Sequence, residues 1–366
     1  MNFELTSAST FYLLLSFSLI SFFTITLFWQ KIFRKGIGNF ILRIFLLLII
    51  QFLILVSVGV GINQSQGFYS SWTDLFGGTQ DFTSKAVAAD SLKVFSPLDF
   101  QKAQTTVGSL KIFKEVITGT ESQVSNLVYL VVPESAAKTL ESGEQLDPSK
   151  YLVTEFVTGF PSKPEMWFKA LSVDKDIATF NSNHTKEIIG VIPEINVAGQ
   201  FDLECMNLPN GEPEAETWLT DDMKSYVDTR LGFKSQRWVA AGVSTGGWCS
   251  YMFAIKHPDK YAGALSIAGY YRPALPLKDV LALQKAMIKK YNVSKMESAL
   301  TSKTPLYVVA SLGDTYSIRE TTRFLTKKHP NLLIKYHEIA TGGHNPRVWK
   351  SAIKPGLEWL EGKVKP

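Results

Sequence analysis

Gly242-Val243-Ser244-Thr245-Gly246 is the stretch of this 366-residue chain whose spacing most directly specifies chemistry. Before it runs Arg237-Trp238-Val239-Ala240-Ala241, an apolar run that reads as a buried strand. After it, Gly247 to Lys256 reads as a helix ending before His257-Pro258. Strand, G-x-S-x-G and helix is the setting of a nucleophile elbow. So tight a turn leaves no room for bulk beside the serine, hence glycine on both flanks. The hydroxyl then stands clear at the carboxyl end of the sheet, placed to attack a carbonyl.

A serine hydroxyl attacks well only when a base takes its proton, and the base needs an acid to orient it. Behind an elbow of this kind the order along the chain is Ser, acid, His. Of the five histidines, His329, His337 and His344 lie well beyond the elbow helix. His329 precedes Pro330 and reads as a solvated helix end. His337 falls inside the alternating run Leu332 to Ile339, where a strand would hold it. His344 follows that strand in Thr341-Gly342-Gly343-His344-Asn345-Pro346, a loop able to swing over the serine, and is the expected base. The expected acid is Asp314, just past the apolar strand Pro305 to Ser311, with Glu320 further along the next helix as the alternative.

Acyl transfer also needs two backbone N–H groups aimed at the oxyanion. One is expected from Thr245, at a helix N-terminus whose dipole favours negative charge. The other is expected from Phe160, in Thr158-Gly159-Phe160-Pro161 after the strand Tyr151 to Val157.

The remaining pattern supplies a scaffold for these positions. From Lys111 onward, strands are expected at 111–118, 125–132, 151–157, 187–193, 236–241, 263–268, 305–311 and 332–339. Helices are expected at 218–231, 246–256, 318–328 and 347–361, with a helical insertion over 276–301. Strands alternating with helices imply an α/β fold, a mainly parallel sheet with helices on both faces. The strand 187–193 is expected beside the elbow strand.

Taken together these residues resemble the putative-esterase branch of the α/β-hydrolases, the branch of esterase D, S-formylglutathione hydrolases and secreted bacterial mycolyltransferases. The resemblance runs from about Val128 to Trp359. It rests on Val128-Tyr129-Leu130-Val131-Val132-Pro133, Thr158-Gly159-Phe160-Pro161, Asp202-Leu203-Glu204-Cys205, the elbow, His257-Pro258-Asp259 and Gly342-Gly343-His344-Asn345. It implies the α/β-hydrolase fold, with Ser244 as nucleophile, Asp314 as acid and His344 as base. Thr158 stands where the family usually has histidine or aspartate, and Pro161 where mycolyltransferases have arginine. Both departures weaken the mycolyl-transfer reading.

The first sixty residues are unlike the rest. Phe11 to Trp29 and Ile44 to Ile62 are almost wholly apolar, each long enough to cross a hydrocarbon core of roughly 30 Å. Glu4, with no basic residue before Thr10, argues against a cleaved signal peptide. Lys31, Arg34, Lys35 and Arg43 cluster between the runs, which puts the turn in the cytoplasm and both flanks outside. The expected organisation is a transmembrane hairpin over 1–63, a polar juxtamembrane linker over 64–110 and a catalytic domain over 111–366. Two cysteines, Cys205 and Cys249, are expected either as a disulfide beside the site or as two buried thiols. The net charge of +5 includes the basic turn, and no basic stripe with interleaved aromatics suggests nucleic acid. No cofactor or metal site is expected. Three functions stay open: a membrane-anchored extracytoplasmic serine esterase, an acyltransferase to a sugar or lipid hydroxyl, and an inactive cell-surface binding module. The first two would take an ester or acyl donor, a small molecule or a lipid.

Overall fold

A computed structural model describes residues 8–29, 36–66, 85–86, 105–197, 202–208, 213–233, 236–275 and 281–364. Lys31, Arg34, Lys35 and most of the expected linker lie outside the described residues. The chain divides into two units, Met1–Gln80 and Asp81–Pro366.

In the first unit, α1 (Ala8–Leu27) and α2 (Ile37–Gln66) form a helical hairpin. Ser18 Oγ and Ser57 Oγ approach to 3.3 Å, and Gly61 lets the Phe11 ring lie against the α2 backbone. Phe17, Phe23, Phe45 and Phe52 are exposed. Both helices are long and apolar enough to cross a membrane. Their bounds differ from the expected spans, because hydrogen bonds rather than apolarity end a helix. Gly38, Asn39 and Arg43 are carried inside α2, and its last turns pass Asn63.

The second unit is built on one sheet. Its strands are β1 (Lys85–Ala86), β2 (Thr105–Val107), β3 (Leu110–Thr118), β4 (Ser125–Pro133), β5 (Tyr151–Val157), β6 (Glu187–Pro193), β7 (Trp238–Val243), β8 (Tyr261–Ile267), β9 (Thr304–Ser311) and β10 (Leu332–Ile339). The spatial order is β1-β3-β4-β6-β5-β7-β8-β9-β10, with β2 pairing β3. From β6 to β10 every pairing is parallel; β2, β3, β4 and β6 pair antiparallel. The sheet thus begins upstream of Lys111.

One expectation about order is corrected. β5, not β6, neighbours the elbow strand. The fit is steric: Gly246, lacking a Cβ, lets the Val157 and Thr158 carbonyls at the end of β5 close onto the start of the elbow helix.

Parallel strands need crossovers, and these supply the helices. They are α3 (Glu134–Glu141), α4 (Glu165–Lys169), α5 (Val173–Asn183), α6 (Met223–Leu231), α7 (Thr245–Lys256), α8 (Leu281–Lys290), α9 (Val293–Ser298), α10 (Thr315–Leu325) and α11 (Pro346–Glu361). The helices α3 to α5 were not expected from the sequence. Successive β5 residues face opposite sides of the sheet, as period two demands. Val153 and Val157 pack with Trp218, Trp248 and Phe253. Leu152 and Phe156 pack with Trp167, Phe180, Ile353 and Leu357. Helices on both faces explain why the central strands read as unbroken apolar runs.

Candidate active site

β7 delivers Val243, and the chain turns at Ser244 with φ +56° and ψ −121° before α7 begins at Thr245. Positive φ is costly for any residue with a Cβ. The turn is closed by two bonds: the Ser244 N–H donates to Ile267 O at 2.9 Å, and the Gly247 N–H donates to Ser244 O at 2.9 Å. Glycine is obligatory on both flanks. A Cβ at Gly242 would lie 1.9 Å from Gly246 O, and one at Gly246 would lie 2.1 Å from Val157 O. Strand and helix therefore meet backbone to backbone, and the serine side chain is the one that projects.

His344 and Asp314 reach this hydroxyl from the ends of β10 and β9. His344 Nε2 is 2.9 Å from Ser244 Oγ, and Nδ1 is 2.5 Å from Asp314 Oδ2. Asp314 is buried, and its Oδ1 accepts the Ser317 N–H at 3.1 Å as the N-cap of α10. The two loops are clasped to each other. Ser311 Oγ donates to Gly342 O at 2.5 Å, and Gly313 approaches Gly342 too closely for any Cβ. Gly342 itself has φ +110°, a conformation that suits glycine. The Trp349 ring meets His344 edge to face, with centroids 4.8 Å apart.

The other candidates stand elsewhere. Glu320 is held by Arg323 at 2.9 and 3.1 Å, while Asp314 is the carboxylate bonded to His344 Nδ1. His329 pairs with Glu297 at 2.7 Å, and His337 meets the Tyr307 hydroxyl at 3.0 Å. Thr245 opens α7, and Phe160 sits in the turn that Ser162 N–H closes on Gly159 O at 2.9 Å. Gly159 is pressed against Ser244, with 2.8 Å between its would-be Cβ and the serine Cβ.

A polar network beside the elbow was missed in the sequence. Thr245 Oγ1 donates to Asp202 Oδ2 at 3.1 Å, and Asp202 Oδ1 accepts the Glu204 N–H at 2.8 Å. Glu204 in turn accepts from the Tyr270 hydroxyl and the Ala274 N–H, both at 2.8 Å. Burial, only partly offset by these donors, pushes the Glu204 carboxyl up to about 8. Burial also raises Asp202 above the usual carboxylate range. The network is stapled to α7 by the Cys205–Cys249 disulfide, with Cα atoms 5.8 Å apart, and by Trp248 Nε1 donating to Glu204 O at 3.1 Å. The available signal was the nearness of Asp202 and Glu204 to Cys205 in sequence. Among the described residues, no group of three or more His, Cys, Asp or Glu is placed to hold a metal ion.

Comparison with known proteins follows the same outline. The sequence model of the putative esterase family matches residues 165–360, more than half of the chain. No curated protein matches by sequence. Among solved structures, an S-formylglutathione hydrolase of Agrobacterium tumefaciens superposes with a TM-score of 0.58 at 11% identity, over 71% of this chain and 98% of that one. A ferulic acid esterase gives 0.56 at 17% identity, over 70% and 98%. An S-formylglutathione hydrolase of Staphylococcus aureus gives 0.53 at 16% identity, over 70% and 99%. At these identities the likeness establishes the shared α/β-hydrolase fold.

Proposed function

The chain belongs to the putative esterase family and is a serine hydrolase, and from that premise we propose that Ser244 is its nucleophile, His344 its general base and Asp314 the acid that orients the histidine. The observation that carries the assignment is the single imidazole bonded to both Ser244 Oγ and Asp314 Oδ2. With Nδ1–H donated to Asp314, Nε2 is left to accept the serine proton. The alkoxide attacks the acyl carbonyl, and the oxyanion rests on the N–H groups of Thr245 and Phe160. Thr245 suits this role because the first N–H groups of a helix have no acceptor within it. The imidazolium protonates the leaving alcohol, an acyl-serine forms, and water activated by the same histidine releases the acid.

The reading extends to place. α1 and α2 anchor the enzyme in a membrane, and the cationic turn between them stays in the cytoplasm. The catalytic unit then lies outside, where the Cys205–Cys249 disulfide persists. Substrates are carboxylic esters, small or lipidic. Labelling with a fluorophosphonate probe and turnover of a p-nitrophenyl ester test the assignment. Both are expected in the wild type and neither in Ser244→Ala; a variant that still labels or turns over removes Ser244 from the role.

A further inference from the structure

α10 carries Arg319, Glu320 and Arg323, and the loop after β8 brings Arg272 to the same carboxylate. Arg323 Nη1 lies 2.9 and 3.1 Å from the two Glu320 oxygens, Arg272 Nε 3.3 Å from Oε2, and Arg319 Nε 3.5 Å from Oε1. The Glu320 side chain is 3% exposed, whereas those of Arg272, Arg319 and Arg323 are 56%, 61% and 50% exposed. Three guanidinium groups on one carboxylate leave two positive charges in surplus. A buried carboxylate needs a compensating charge, and the Arg323 guanidinium at 2.9 and 3.1 Å already supplies one. Each guanidinium has five N–H donors in a planar fork, and Glu320 uses few of them. Lys327 joins Arg272, Glu320 and Arg323 in lining a cleft of about 70 Å³, with Arg319 outside it on the same carboxylate. The other carboxylate of that cleft, Glu297, is already bonded to His329 and Tyr251.

The cluster is tied to the esterase site. α10 starts at its cap Asp314, so Arg319 and Arg323 stand about 7 and 13 Å further along the helix axis. Arg319 lies 5.3 Å over the Tyr316 ring, Tyr316 meets Tyr270 at 6.1 Å, and Tyr270 stacks on Trp248 of α7 at 6.0 Å. Tyr316 is exposed while Tyr270 and Trp248 are buried, so the guanidinium groups reach the nucleophile helix through a packed line of aromatic rings.

We propose that Arg272, Arg319 and Arg323 form a subsite for a phosphate group carried by the ester substrate. A tetrahedral oxyanion offers several acceptors to several forks, and it neutralises the surplus charge that Glu320 leaves. The proposal rests on the serine esterase reading, and it makes the substrate class an anionic ester whose charge lies several bonds from the scissile carbonyl.

Two measurements on the full chain in neutral detergent test it. In the first, inorganic phosphate is titrated by calorimetry into wild type, Arg272→Gln and Arg319→Gln. Saturable binding at least tenfold weaker in each variant is expected; equal binding, or none to wild type, overturns the site. In the second, a short-chain monoacylglycerol is compared with its glycerol phosphate monoester. Wild type should favour the phosphate ester at least tenfold in kcat/KM, and the ratio should fall towards unity in the variants. Phosphate binding without any change in that ratio would mean a site for the free ion and overturn the substrate assignment. Should a variant fail to fold, wild type alone decides: inorganic phosphate must raise KM for the phosphate ester and leave that for the neutral ester unmoved. Turnover of neither ester counts against the esterase reading and removes the substrate role, while calorimetry still decides the anion site.

Discussion

Ser244 is expected to reduce the stability of the protein it serves, and replacing it by glycine measures by how much. Its φ of +56° and ψ of −121° place a Cβ-bearing residue where the backbone costs about 1–3 kcal/mol. Ser244→Gly removes the Cβ, and with it both the strain and the contact with Gly159. It also frees the unfolded chain, which opposes stability by about 0.4–1 kcal/mol. The lost hydrogen bond to His344, worth about 1 kcal/mol, would blur the result if glycine were compared with serine. Alanine is the proper reference: Ser244→Ala loses the same bond and keeps the strained Cβ.

The difference between the two variants is therefore strain minus chain entropy, centred near 1 kcal/mol in favour of glycine. In a catalytic unit of this size, about 2 °C or more in Tm follows from such a difference. Thermal unfolding of the full chain in one detergent, followed by tryptophan fluorescence, reads the order directly. Both variants should be inactive, with glycine melting above alanine. Should alanine prove equally or more stable, the conformation at residue 244 is not strained and the structural account of the elbow is wrong.

Further outcomes follow from the neighbours of the site. Asp314→Asn should lower kcat by about 10³–10⁴ while KM holds, because the amide no longer fixes the Nδ1–H tautomer. Its Tm should change little, since asparagine also caps α10 at Ser317; a kcat within tenfold of wild type would remove Asp314 as the orienting acid. Glu204 keeps its proton in the fold up to about pH 8, but releases it near 4.5 when unfolded. Its contribution to stability is full below that lower value and drains away as pH rises to about 8, at about 1.4 kcal/mol per unit. Glu204→Gln, measured by denaturant unfolding between pH 5 and 8, should flatten the slope by that amount; an identical slope refutes the buried-acid account. Removing the Cys205–Cys249 bridge as a double serine variant opens a loop with a sequence separation of 44. The expected loss is about 4 kcal/mol, and an unchanged unfolding midpoint would show that the bridge does not constrain the catalytic unit.

Much of this molecule is written locally. The α/β-hydrolase fold follows from apolar runs punctuated by glycine, because parallel strands covered on both faces cannot tolerate polar residues. The elbow is legible for a related reason. Backbone contacts at Gly242 and Gly246 admit no side chain, so the packing leaves its mark as residue type. The candidates Asp314 and His344 stand out because each lies in the loop after a strand, and adjacent parallel strands bring their carboxyl ends side by side. Spacing favours Asp314 over Glu320 but does not show where Glu320 goes. Asp314 caps α10 at the sheet edge, while Glu320 is carried round the helix to Arg272, a residue contributed by a distant loop.

What stayed hidden depends on the order of the strands. Nothing in the composition of Tyr151 to Val157 or Glu187 to Pro193 says which lies beside the elbow, since both are apolar runs of the same length. The answer comes from the carbonyls of Val157 and Thr158 fitting over Gly246, a contact between segments nearly ninety positions apart. The Asp202 and Glu204 network has the same origin. Each carboxylate in isolation reads as a loop residue, and acquires its role only when the bridge from Cys205 folds the loop onto α7. Residues that must be of one type because backbone excludes all others are visible in a single sequence. Residues whose chemistry comes from being buried beside a partner are visible only once the partner has been placed. In this enzyme the first group builds the elbow and the second surrounds it, which is why Ser244 was the easier residue to single out and the buried carboxylates beside it were not.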